Sequence, residues 1–191
     1  MKILIAMPSG DLVHKGFCIS LANLIYHSVR MGVALAPADI RVTTIERGRN
    51  IAVRAALDEG ASHIFWLDSD MTFPPETLIE QLKHDKDIVG CSYRMRREPH
   101  VPTHRELAEP EAGALHRVAR LPGGMLLVKI GVYQKLDLPW YRNTWVAGAE
   151  NIEATQDFDF CDRARALGYE VWLDAALSKR IGHLGEYEYR L

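Results

Sequence analysis

Over the first ninety residues, short apolar runs alternate with segments whose apolar residues recur every three or four positions, and few architectures accommodate that pattern. Ile3-Leu4-Ile5-Ala6-Met7 is unbroken by any polar residue, as a parallel strand buried on both faces requires. After Pro8-Ser9-Gly10-Asp11, the residues Phe17, Leu21, Leu24, Ile25 and Val29 keep helical spacing up to Gly32. Ile40 to Ile45 reads as a second strand, Asn50 to Leu57 as a helix ending before Gly60, and Ile64 to Leu67 as a third strand. Pro74-Pro75 suits the first turn of a helix with Leu78, Ile79 and Leu82 on its apolar face, and Ile88 to Cys91 is a fourth strand. The alternation predicts an α/β chain with a mostly parallel central sheet flanked by helices, in one Rossmann-like domain spanning 1–191. In such sheets ligands bind outside the carboxyl ends of the strands.

After Tyr93 the pattern changes. Arg94-Met95-Arg96-Arg97 and the stretch from Glu98 to Pro110 hold charge, histidine and three prolines without a period, which reads as a long loop of the kind that often serves as a lid. Leu115 to Leu121 and Gly123 to Val128 read as strands, followed by a short helix to Leu136 and a loop from Pro139 to Ile152. Thr155 suits the N-cap of a helix ending at Gly168, with Phe158, Cys161 and Ala164 on one face. Val171 to Leu173 and Ser178 to Ile181 complete the expected strands.

Composition narrows the function classes. The formal net charge is -2 over 191 residues, so no global basic field recruits nucleic acid. Cys18, Cys91 and Cys161 form no CxxC pair and leave one over from any disulfide framework, which fits reduced thiols in the cytoplasm. The N-terminal apolar run ends at Pro8, too short for a signal core or a bilayer span, so any membrane role is expected to go through a partner.

Three constellations carry chemistry. Phe65-Trp66-Leu67 runs directly into Asp68-Ser69-Asp70, which sets two carboxylates two residues apart at the end of a buried strand. Oxygen ligands in that position suit Mg²⁺ or Mn²⁺ on a phosphate ligand, and the same residues also suit a polar turn. In Thr155-Gln156-Asp157-Phe158-Asp159, Asp157 falls in a first helical turn. There it either stabilises the helix end or accepts a proton from a hydroxyl. In Gly182-His183-Leu184-Gly185, the histidine stands between glycines that permit close approach of another element, and its imidazole can complete a metal site or simply pack.

Taken in order along nearly the whole chain, these segments resemble the GT-A glycosyltransferases, in particular glycosyltransferase family 2 and its small bacterial and phage members. The strand ending at Met7 with Pro8-Ser9 is similar to the place where that family seats the nucleotide base. Arg49-Asn50 resembles its Arg-Asn segment beside the nucleotide, and Asp68 to Asp70 with Met71-Thr72-Phe73-Pro74-Pro75 resembles its DxD segment. The resemblance implies that Asp70 binds the metal, that Asp68 contacts the ribose or the metal shell, and that Gly123-Gly124 line the donor cleft. It also implies that His183 completes the metal site and that Asp157 is the base of an inverting transfer. The Glu usual before that Asp is Gln156 here, which makes Asp159 the fallback.

The implied activity is transfer of a sugar from a nucleoside diphosphate-sugar donor to an acceptor hydroxyl, with Mn²⁺ or Mg²⁺ as cofactor. Residues 1–93 would form the nucleotide-binding half and 94–191 the acceptor half. The acceptor stays open between a glycan and a hydroxylated base in phage DNA, for which Arg94, Arg96, Arg97, His100, His104 and Arg105 would supply a phosphate-facing patch. The same arginine loop can instead close on the diphosphate. A nucleotidyltransferase and a non-catalytic nucleotide-sugar-binding module are the alternatives.

Overall fold

The computed structural model describes residues 1–10, 12–38, 40, 44–96, 98–145, 152–185 and 188–190. In chain order, the first half contains β1 (Lys2–Ala6), α1 (Lys15–Arg30), β2 (Ala34–Ala38), α2 (Ile45–Asp58), β3 (His63–Leu67), β4 (Met71–Thr72), α3 (Thr77–Lys83) and β5 (Ile88–Gly90). The second half contains β6 (Leu115–Val118), β7 (Met125–Lys129), α4 (Ile130–Lys135), β8 (Thr144–Trp145), β9 (Ile152–Ala154) and α5 (Gln156–Ala166). It closes with β10 (Val171–Asp174), α6 (Ala175–Ser178), β11 (Gly182–Leu184) and β12 (Glu188–Arg190).

Seven strands form the central sheet in the order β2-β1-β3-β7-β5-β10-β6. Five of them run the same way, whereas β7 and β6 run opposite to their neighbours. The expected mixed α/β architecture with a mostly parallel sheet is therefore present. Successive strand residues face opposite sides, so each apolar run feeds two cores. Leu4, Ile64, Trp66, Leu126 and Val128 pack on one face with residues of α2, α4 and α5. Ile3, Ile5, Phe65, Leu67, Met125 and Leu127 pack on the other with residues of α1 and α3.

Three expected boundaries are corrected. The second strand is Ala34–Ala38 rather than 40–45; Thr44 caps α2 and Ile45 begins it, and 41–43 lie outside the described residues. An Ala-Pro strand is tolerated here because β2 is an edge strand, where Pro37 leaves no inner ladder unpaired. Helix α2 accordingly starts five residues before the expected Asn50. Residues 178–181 are not a strand: Ser178 ends α6, whose N-cap Asp174 accepts the Leu177 amide at 2.8 Å, and the strand lies one step on at Gly182–Leu184.

The loop after Tyr93 is also more ordered than a free lid. Arg94 bridges to Pro102 and Arg105 to Arg120, while the Thr103 amide donates to the Tyr93 carbonyl at 3.0 Å. Arg97 lies outside the described residues.

Candidate functional site

The site forms where β3 ends. Antiparallel pairing of β3 with β7 sets Leu67 opposite Met125, so the Gly123-Gly124 turn falls directly over Asp68. The Asp68 amide donates to the Gly124 carbonyl at 3.0 Å. Both glycines are demanded by this approach. A Cβ at Gly124 would strike the Tyr93 hydroxyl and come within 2.7 Å of Asp68 Oδ2, and one at Gly123 would strike the Arg49 guanidinium.

Arg49 is 1% exposed and lies under that turn. Its Nη2 donates to Asp68 Oδ1 at 3.4 Å, and the guanidinium rests against Trp66 and Tyr141, 4.9 and 5.5 Å from their ring centroids. Among the described residues its Nε and Nη1 find no hydrogen-bond partner. The aromatic walls are tied together: Trp66 Nε1 donates to the Tyr133 hydroxyl at 2.8 Å, which shares a 2.8 Å hydrogen bond with Tyr141. Asn50 braces the wall from behind. Its amide nitrogen donates to the carbonyls of Glu46 and Tyr141, and its oxygen accepts the Tyr141 amide. The structure thus makes Arg49 a support beneath Asp68 and Asn50 a support for Tyr141.

Asp68 is raised above the ordinary carboxylate range, first by burial; Arg49 works against that, and the charges of Asp70 and Asp157 add to it. Asp70 is held below that range. Burial pushes it up, but His183 and Arg96, both beside its Oδ2, outweigh burial. Tyr93, sequence reasoning's main omission, closes the cluster. Burial and then the carboxylates of Asp68 and Asp157 raise its phenol well above the ordinary value, which keeps it a neutral hydroxyl beside Gly124. A tyrosine after an apolar strand carries no signal of that role in the sequence.

His183 reaches the cluster through a small second sheet. β4 follows Asp70 directly and pairs with β11, with His183 opposite Met71, and the Leu184 amide donates to the Asp70 carbonyl at 2.7 Å. His183 Nδ1 donates to the Arg94 carbonyl at 2.9 Å, which turns Nε2 toward Asp70 Oδ2, 3.6 Å away. Arg96 sits on the same Oδ2 at 3.1 Å and donates to the Leu184 carbonyl.

Whether this corner suits a divalent cation is tested by its polar atoms. Among the described residues Asp70 Oδ1 is buried without a partner, and the backbone carbonyl on Nδ1 fixes the imidazole as metal-ligating histidines are usually fixed. Among the described residues no three His, Cys, Asp or Glu side chains converge as a ligand set, and Asp68 is turned to Arg49. One carboxylate and one imidazole fit a cation whose remaining ligands are phosphate oxygens and water.

Asp157 joins the cluster from α5. Its Oδ2 accepts the Gly123 amide at 3.0 Å, and its Oδ1 accepts the Thr155 hydroxyl at 2.6 Å and the Phe158 amide at 3.0 Å. Asp159 faces elsewhere: it accepts from Thr144 at 2.7 Å and Arg163 at 2.7 Å and pairs with Arg142 at 3.4 Å, so it anchors the segment before α5.

Beyond the ends of β1 and β2 lies a cavity of about 510 Å³ lined by Ser9, Gly10, Phe17, Cys18, Pro37 and Ile40 among others; Pro8 is buried beside Ser9. Of the expected basic patch, Arg94 donates to the His100 carbonyl, His104 binds Ser92 and Glu106, and Arg105 lies over the Phe158 ring.

The Anp1 family model matches residues 26–105, under half of the chain but including Arg49, Asn50, Asp68 and Asp70. No curated protein matches the sequence. Among solved structures, A197 from STIV is similar, with a TM-score of 0.65 at 15% identity over 97% of this chain and 86% of that one. A glycosyltransferase involved in the glycosylation of the major capsid of PBCV-1 gives a TM-score of 0.41 at 12% identity over 73% of this chain and 70% of that one. The likeness to A197 is one of fold.

Proposed function

We propose that this protein is a glycosyltransferase that moves a sugar from a nucleoside diphosphate donor to an acceptor hydroxyl with inversion. The observation that carries the proposal is the gathering of Asp68, Asp70, Asp157, His183 and Arg49 from four separate parts of the chain around the end of one buried strand. The match to Anp1, a mannosyltransferase-like family, supports a glycosyltransferase kind of function.

The nucleoside would occupy the cavity at Ser9, beyond the ends of β1 and β2. Asp70 and His183 would hold Mn²⁺ or Mg²⁺, which when bound neutralises the charge developing on the departing diphosphate. Arg96, nearly half exposed and already beside Asp70, would turn its guanidinium to the diphosphate oxygens. Asp157 would take the proton of the acceptor hydroxyl, giving up the Gly123 amide on one oxygen while Thr155 and the Phe158 amide keep the other in place. The engagement of Arg94, His100 and His104 within their own hairpin favours a glycan hydroxyl over DNA as acceptor.

A panel of nucleotide sugars with Mn²⁺, scored for released nucleoside diphosphate, tests this. Turnover of at least one donor, lost without metal, is expected. Nucleoside triphosphate consumption with pyrophosphate release would instead point to nucleotidyl transfer, and binding of a donor without turnover to a non-catalytic module.

A further inference from the structure

A helix that packs on a sheet ordinarily turns polar and charged side chains to water. Helix α1 does not. Its inner face, with Phe17, Leu24 and Ser28 buried and Leu21 and Ile25 packed beside them, lies on the central sheet. Its outer face carries Cys18, Ile19, Ala22, Tyr26 and Val29, all exposed and spaced by one to four residues along a single band. Residues 12–31 hold six of the thirteen large apolar side chains exposed among the described residues: Ile19, Tyr26 and Val29 on this face, Leu12 and Met31 beyond the helix ends, and Val13, which also lines the cavity at Ser9. Single exposed apolar residues need no explanation, but a concentration on one helix face does.

The charge on this segment is one-sided. Between Asp11 and Asp39 there is no acidic residue, in a chain that has 25, whereas the same stretch contains His14, Lys15, His27 and Arg30. Lys15 and Arg30 stand at the two ends of α1. Arg30 folds along the apolar face, its guanidinium 5.6 Å from the centre of the Tyr26 ring and donating to the Tyr26 hydroxyl at 3.1 Å. A cationic head carried over apolar surface to its rim is how long basic side chains sit at a membrane interface.

Charge also separates the two occupants such a face could take. Two-fold pairing with a second copy would set this acid-free segment against itself, cation to cation, with no carboxylate of its own to answer Lys15 or Arg30; the nearby Glu76, beside His27, is already paired with Arg180. Anionic lipid headgroups answer both. We propose that the outer face of α1 is a membrane-docking surface, lying in the headgroup region of a bilayer that contains anionic lipid. Its 16 residues lie in the plane of that surface, and no helix among the described residues is long and apolar enough to cross it. Phe17, Cys18 and Leu21 of the same helix line the cavity at Ser9, so docking sets that cavity beside the headgroups.

Vesicle flotation with the full chain tests this, using phosphatidylcholine alone and phosphatidylcholine mixed with phosphatidylglycerol. The protein is expected to float with the mixed vesicles and to bind less as salt rises. Ile19→Glu with Val29→Glu should lower the bound fraction on the order of tenfold or more, with far-ultraviolet dichroism unchanged. Lys15→Gln with Arg30→Gln, which leaves the inner face of α1 intact even if the glutamate variant unfolds, should remove the preference for anionic vesicles. Light scattering after size exclusion should give a monomer. Wild-type protein that floats with neither vesicle, indifference to phosphatidylglycerol, or a dimer that the glutamate pair dissociates would each overturn the proposal, the last in favour of a second copy.

Discussion

A buried guanidinium needs an opposite charge nearby, and Asp68 is the partner the fold gives Arg49. Arg49→Ala leaves the half-buried Asp68 beside Asp70 and Asp157 without its counter-charge, and should cost about 1–3 kcal/mol of stability by urea denaturation. The two carboxylates of the first turn of α5 should part company under mutation. Asp157→Asn should slow sugar transfer by about 10²–10⁴-fold if the side chain is the base, while donor binding persists. Asp159→Asn should leave transfer nearly intact but cost about 1–3 kcal/mol, because Arg163 and Arg142 lose their buried carboxylate. Its pH dependence has a definite sign. Burial works to raise the Asp159 carboxyl, yet Thr144, Arg163 and Arg142 together hold it below the ordinary value. A depressed folded-state value means that the contribution is complete above the unfolded value of about 3.9 and fades as pH falls through the lower, folded one. Wild type and Asp159→Asn should therefore differ in denaturation midpoint at pH 7 and converge in strong acid.

At the level of elements, the glycine turn before β7 is the most exacting part of the site. Gly124→Ala would drive a methyl group into Tyr93 and Asp68, neither of which can retreat from the buried cluster. A cost of about 1–3 kcal/mol is expected, with nucleotide binding by calorimetry lost more completely than stability. Elements with a strong period were legible in the sequence: β1, β3, α1 and α5 follow from unbroken apolar runs or helical spacing. Ala34–Ala38 was not, because alanine and proline carry little strand signal and only the edge position admits them. Asp68, Asp70, Asp157 and His183 were each visible as residues, but the contacts that unite them are set by pairings that no local pattern encodes. These are β7 inserted antiparallel between β3 and β5, and β11 laid against β4. The contacts of Arg49 and Asn50 were hidden for a similar reason, since what they touch, Asp68 and Tyr141, is distant in sequence.

Across the whole molecule, the central sheet takes strands from both halves of the chain, and so does the candidate site: Arg49, Asp68 and Asp70 come before residue 94, Gly123, Asp157 and His183 after it. In the proposed function the site depends on Asp70, among the described residues the one carboxylate with a buried oxygen lacking a partner and an imidazole beside it. Calorimetric titration of nucleoside diphosphates into wild type and Asp70→Asn, with and without Mn²⁺, addresses that claim most directly. The account predicts that wild type binds one nucleoside diphosphate far more tightly with Mn²⁺ than without, and that Asp70→Asn loses the metal dependence while keeping the wild-type fold. Equal, Mn²⁺-dependent binding by the two proteins would contradict it.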